Sequence, residues 1–287
     1  MRITLTRIIA LLTGAALLMA GCTNEPEKSA AKKTPGEDAK LAKACEGNVE
    51  INKGFNKVFA DIPQSEGPPT PEVTKKITDG INQFVLPHVE AVENNAPEEI
   101  ADEIAIGAKS VRRLRDDPAS DPFEEEEVDE AVNEIDEYFF ENCDHEKLTV
   151  AAKEYEFSKV PDEIETGDVS VKLENEGREV HEFVVLTRKE GVTESFDDIL
   201  ALDEAQAQEK VDFVSGADAG PGEEGYGIFS FEKPGDYVAV CFVSKGTTGE
   251  EEAEESPSPG ASPSPAGSQE EGQPHFTLGM KKEFKVV

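Results

Sequence analysis

Two stretches of this chain carry different hydrophobic periods. Between residues 39 and 145 apolar positions recur three or four residues apart, the spacing of helices with one buried face. Leu41, Cys45, Val49, Phe55, Val58 and Phe59 predict a first helix with a break near Gly54. Thr70 and Pro71 mark a start for a second helix, in which Val73, Ile77, Ile81, Phe84, Val85 and Val89 face inward and Pro87 predicts a kink. Ile100, Ile104, Ala108, Val111 and Leu114 form the face of a third helix opened by Pro97. Val128, Val132, Ile135 and Phe139 form that of a fourth over Glu124–Asn142, whose acidic first turn suits the helix dipole. From 147 the pattern changes to short alternating runs between turn dipeptides. Strands are predicted at 148–157, 169–173, 180–187, 226–231, 237–243 and 277–287, with a helix at 194–213 and a loop at 216–227. The expectation is two domains: an all-α bundle at 39–145 and an all-β Greek-key sandwich at 147–287.

Both ends of the pattern have exceptions. Residues 1–21 pair Arg2 and Arg7 with a short apolar stretch that ends at Leu-Met-Ala-Gly before Cys22. This is the form of an export signal, and it resembles a bacterial lipobox in which Cys22 becomes the lipidated first residue. Residues 22–38 are polar and form a flexible tether. Residues 246–273 are an acidic, Pro/Ser/Gly-rich insert expected to be disordered.

The chain has 62 Asp+Glu against 28 Lys+Arg, a net charge of −34. Loss of residues 1–21 removes two arginines and no acid, which takes −34 to −36. Such a surface excludes nucleic acid as a partner and favours a basic protein or cations. There is no nucleophile elbow and no phosphate-binding loop with its Lys-Ser/Thr. In an oxidising compartment Cys45 and Cys143, which bracket the helical region, are expected to form a disulfide worth about 4–5 kcal/mol on the chain-entropy account. Cys241 is then left over as buried and inert, paired between molecules, or a metal ligand. His88 and His145 have no partner in sequence.

The β half carries an ordered set of motifs: N-x-G-x-x-x-H at 175–181, Pro-Gly at 221–222, P-G-x-Y-x-x-x-C at 234–241 and H-x-x-x-x-M at 275–280. This set resembles the cupredoxins, the type 1 blue copper proteins of the plastocyanin and azurin kind. The resemblance implies a copper site with ligands His181, Cys241, His275 and Met280. A soft thiolate, two imidazoles and a weak thioether suit both copper oxidation states. Two departures stand out. The family places its second His a few residues after the Cys, whereas 33 residues, 242–274, intervene here. Glu182 follows the first His where many members have an Asn that ties the ligand loops together. The implied function is a lipid-anchored, extracytoplasmic electron carrier, not an enzyme, held to the outer face of the cytoplasmic membrane. Its partner is a basic redox protein. The alternatives are a copper carrier that serves a copper acceptor, and a non-metal envelope interaction module. The helical domain is expected to be a spacer or docking surface.

Overall fold

The computed structural model describes residues 35–60, 62, 69–248 and 272–287. The export signal, Cys22 and most of the tether lie outside these, as do residues 249–271 of the insert. No helix among the described residues is long and apolar enough to cross a membrane.

The helical half comprises α1 (Pro35–Phe59), α2 (Pro71–Gly80), α3 (Leu86–Asn95), α4 (Ala101–Asp116) and α5 (Glu126–Asn142). Helix α1 starts at Pro35 rather than at 39. It also runs unbroken through Gly54, which the sequence marks as a break. A Cβ on Gly54 would sit 2.2 Å from the Phe84 carbonyl oxygen, so glycine is there to let α1 cross closely over the Ile81–Val85 segment. That segment is a π-helical turn joining α2 to α3. Pro87 follows it and has no N–H to return to the preceding turn, so the predicted kink takes the form of a widened turn. The Thr70 hydroxyl accepts from Val73 N and caps α2, with Pro71 in its first turn. Cys45 and Cys143 form the expected disulfide and join α1 to the end of α5 across a buried cluster with Phe139 and Ile104.

The β half is a sandwich of two sheets, ordered β2-β1-β4-β7 and β3-β9-β8-β5-β6. Its strands are β1 (Glu146–Lys153), β2 (Glu156–Ser158), β3 (Glu163–Ile164), β4 (Gly167–Asn175), β5 (His181–Arg188), β6 (Val211–Ala219), β7 (Glu224–Phe231), β8 (Gly235–Val240) and β9 (Lys281–Val286). Inward-facing Val150, Val171, Leu173, Phe183, Val185, Phe229, Phe231 and Phe284 fill the space between the sheets. The predicted strand at 148–157 is a hairpin, β1 and β2, which turns at Tyr155 with φ +64°. The predicted helix at 194–213 is two short turns, α6 (Phe196–Leu200) and α7 (Glu204–Gln208), and then β6. The expected loop at 216–227 is mostly strand as well, because β6 runs to Ala219 and β7 starts at Glu224.

The two halves pack directly. Lys53 reaches Asp168 at 3.1 Å, the Asn56 amide donates to the Val214 carbonyl at 2.7 Å, and the Phe140 and Tyr226 rings lie 5.5 Å apart.

Candidate metal centre

Three chain segments bring the candidate ligands to one end of the sandwich. His181 opens β5, where its strand pairs with β6 at Ala219. Cys241 directly follows β8, and its N–H donates to the Met280 carbonyl at 3.2 Å. His275 starts a short 3₁₀ turn, His275–Leu278, and is placed by its own N–H to Val243 O at 2.9 Å and by Phe276 N to Cys241 O at 2.9 Å. The long Cys-to-His excursion therefore leaves and returns through a zipped neck. Ser244 bridges Pro274, and Lys245 N donates to Gln273 O at 2.8 Å. The length of the insert does not separate the ligands, because closure is enforced at its base.

Nδ1 of His181 and Nδ1 of His275 are 3.2 Å apart, and Cys241 Sγ is 3.3 Å from His275 Nδ1. One donor atom from each of these three residues lies within 4.8 Å of the others, and all three residues are buried. Met280 is fully buried and belongs to the same core cluster as Cys241; its N–H donates to His275 O at 3.1 Å. His88 and His145 lie outside the group. His145 sits at the junction of the two halves, with Nδ1 3.3 Å from Ser170 Oγ.

The support around the imidazoles comes from the 175–179 turn. Asn175 accepts from Gly177 N at 2.8 Å and donates to Glu179 O and Ala219 O. Gly177 has no room for a side chain, since a Cβ there would lie 2.7 Å from His181 Nε2 and 2.8 Å from Glu154 Oε1. Glu179 Oε2 lies 2.9 Å from His275 Nε2 and accepts from Gly246 N at 2.8 Å. The Tyr155 hydroxyl donates to the other oxygen of Glu179 at 3.2 Å, and the Tyr155 ring meets the His275 ring edge-on at 5.1 Å. Glu182, the departure noted in sequence, turns its side chain into the protein and is 6% exposed. Its backbone N–H donates to Cys241 Sγ at 3.3 Å. Asn175 and Glu179 tie this turn to β6, to His275 and to the start of the insert. Asn175 belongs to the sequence motif. Glu179 carries no local signal that separates it from its acidic neighbours.

Burial governs the protonation of the group. It pushes His181 down to about 4, with the neighbouring His275 adding to the effect. It lowers His275 as well, against the opposing pull of the Glu179 carboxylate. It raises the Cys241 thiol to about 12 and the Glu182 carboxyl to about 8. At neutral pH both imidazoles are neutral with lone pairs available, and binding a metal would displace the thiol proton.

These residues fit a copper ion by their own chemistry. Two imidazole nitrogens and a sulfur face one another in a water-excluded space, and with His275 donating through Nε2 its Nδ1 is a bare lone pair. His181 Nδ1 and Cys241 Sγ both close on that one lone pair, and a soft cation suits all three atoms together. No family model matches the chain, and no curated protein matches it. Among solved structures it is similar to a dithionite-reduced auracyanin from the photosynthetic bacterium Roseiflexus castenholzii: 18% identity over 49% of this chain and 96% of that one, TM-score 0.28. It is similar to auracyanin B at 18% identity over 50% and 88%, TM-score 0.28. It is also similar to auracyanin A, a blue copper protein from the green thermophilic photosynthetic bacterium Chloroflexus aurantiacus, at 15% identity over 49% and 98%, TM-score 0.28. The chain's own strands and ligand geometry define the class: a cupredoxin-like sandwich with a His–Cys–His centre suited to copper.

Proposed function

We propose that the protein is an exported, lipid-anchored copper protein that carries single electrons and turns over no substrate. The observation that supports this most is the convergence of His181 Nδ1, His275 Nδ1 and Cys241 Sγ in a buried space at one end of a rigid sandwich. Met280, buried in the same core cluster as Cys241, would offer a thioether as a further, weaker ligand. Copper bound there would supply a one-electron Cu(II)/Cu(I) couple. The chain's part is to hold the ligands still. Cys241 is fixed by β8 and by the backbone bond to Met280, and His275 by the zipped neck. The Glu182 N–H on Sγ favours negative charge on the sulfur and so helps tune the couple. The strongly acidic chain suits a basic redox partner that associates quickly and weakly. Cys22 would carry the lipid, and residues 22–34 would hold the folded part off the membrane.

Copper-loaded protein should absorb intensely near about 600 nm, where thiolate-to-copper charge transfer falls in such sites. Cys241→Ser should abolish the band, and a colourless wild type would refute the assignment. Voltammetry separates a carrier of electrons, with a reversible wave, from a carrier of copper, without one. Cys22→Ser should release the exported protein from the membrane fraction, and continued sedimentation with membranes would rule out the lipid anchor.

A further inference from the structure

His275 is fully buried, and the edge of its ring pointing away from the other ligands is covered by a carboxylate. That carboxylate belongs to Glu179, which no sequence motif marks. It receives three groups from three different segments: His275 Nε2 at 2.9 Å, Gly246 N at 2.8 Å from the start of the insert, and the Tyr155 hydroxyl at 3.2 Å from the β1–β2 turn. Its own backbone is fixed too, since Asn175 donates to the Glu179 carbonyl at 2.8 Å, and Val180 N donates to Thr247 O at 2.8 Å.

A carboxylate has only acceptor oxygens, so the proton in its contact with His275 must sit on Nε2. A neutral imidazole carries one N–H. If Nε2 holds it, Nδ1 has none and presents its lone pair, and Nδ1 is the atom lying 3.2 Å from His181 Nδ1 and 3.3 Å from Cys241 Sγ. The same contact fixes the ring's rotation, which the zipped backbone alone does not. Carboxylate–histidine pairs of this kind raise the basicity of a metal-bound imidazole and favour the more highly charged ion. Gripping Gly246 closes the base of the excursion that separates Cys241 from His275. We propose that Glu179 is the positioning residue of the centre. It sets the tautomer and orientation of His275, locks the base of the long insert, and biases the site toward Cu(II). The last part rests on the electron-carrier reading above; the tautomer and the lock do not.

The test uses the full-length protein with Glu179→Ala and Glu179→Gln, first without metal. Long-range proton–nitrogen NMR of the wild type should show His275 protonated on Nε2. The alanine variant should lose that preference and show faster amide exchange at Gly246. The glutamine variant, whose amide oxygen can still accept, should restore the tautomer. If His275 keeps the Nε2–H form in the alanine variant, or the wild type shows the Nδ1–H form, the positioning role is wrong whatever the protein does with copper. If the alanine variant does not fold, the wild-type tautomer and the glutamine variant decide. With copper added, glutamine keeps the hydrogen bond but removes the charge. It should lower the Cu(II) to Cu(I) affinity ratio about tenfold, a rise in potential of about 59 mV for one electron. An unchanged ratio overturns the bias toward Cu(II). A wild type with the expected tautomer that binds no copper sinks the electron-carrier reading and leaves the positioning role standing.

Discussion

Gly177 shows how tightly the first imidazole is enclosed. His181 Nε2 and Glu154 Oε1 occupy the space its side chain would fill, while Asn175 Oδ1 holds its N–H. Gly177→Ala must therefore push on His181 or open the turn that carries Glu179. Overpacking of this kind costs about 1–3 kcal/mol. Urea unfolding of the metal-free variant should show that loss, and copper affinity should fall with it. A variant as stable as wild type, with unchanged affinity, would mean that the turn yields without moving the ring. At this scale the sequence carried a good deal. The order of His181, Cys241 and His275 was legible because the first two candidate ligands sit at strand ends and the third in the short turn before β9, each within a local motif. Glu179 was not, because its partner lies 96 positions away and its neighbours include Glu176 and Glu182. Glu182 drew attention by its place after His181, yet its backbone, not its carboxyl, is what touches Cys241.

Among the elements, regular helices and buried strands were legible, and crossings and edges were not. The faces of α4 and α5 follow the predicted periodicity, and β4, β5 and β7 lie where alternation places them. Strand β6 was missed because Val211–Ala219 reads VDFVSGADA, small and acidic, with Gly216 in its middle, and its first residues continue the spacing of the preceding turns. It is an edge strand held by pairing to β5. Gly54 misled in the other direction. A glycine inside a helix signals a break in sequence, but here it marks where α1 crosses the π-helical turn. Gly54→Ala would place a methyl against the Phe84 carbonyl, which is backbone and cannot rotate away. The expected outcome is a loss of at least about 2 kcal/mol in denaturant unfolding, with a copper spectrum, once bound, like wild type. A neutral result would show that the crossing is loose.

For the molecule as a whole, acidity continues into the contact between the two halves. Asp129 of α5 is 4% exposed, and one of its oxygens finds no hydrogen-bond partner among the described residues. Asp218 of β6 and Glu223 lie close enough for their charges to repel it. Burial raises the carboxyl of Asp129 to about 6, with Glu130 and Glu223 adding, and that of Asp218 to about 7, with Asp129 and Glu223 adding. Both exceed the ordinary carboxylate value near 3.8. Between about pH 4 and 7 the unfolded chain has therefore given up protons that the folded chain keeps, and stability falls as pH rises through this window. His181 works the other way. Its folded value near 4 lies below 6.5, so stability falls as pH drops from 6.5 toward 4. Between about pH 4 and 6 two raised carboxyls outweigh one lowered imidazole, so these three groups together favour the acidic end of that range in the metal-free protein. Asp218→Asn separates the two trends, because it removes the larger carboxyl share of the first and leaves the second. At pH 8 it should raise the melting temperature by the equivalent of about 1 kcal/mol, with little effect at pH 5. Melting curves from pH 5 to 8 measure this directly. An equal shift at both ends of the range would mean that the gain comes from packing and not from a charge held at the junction of the two halves.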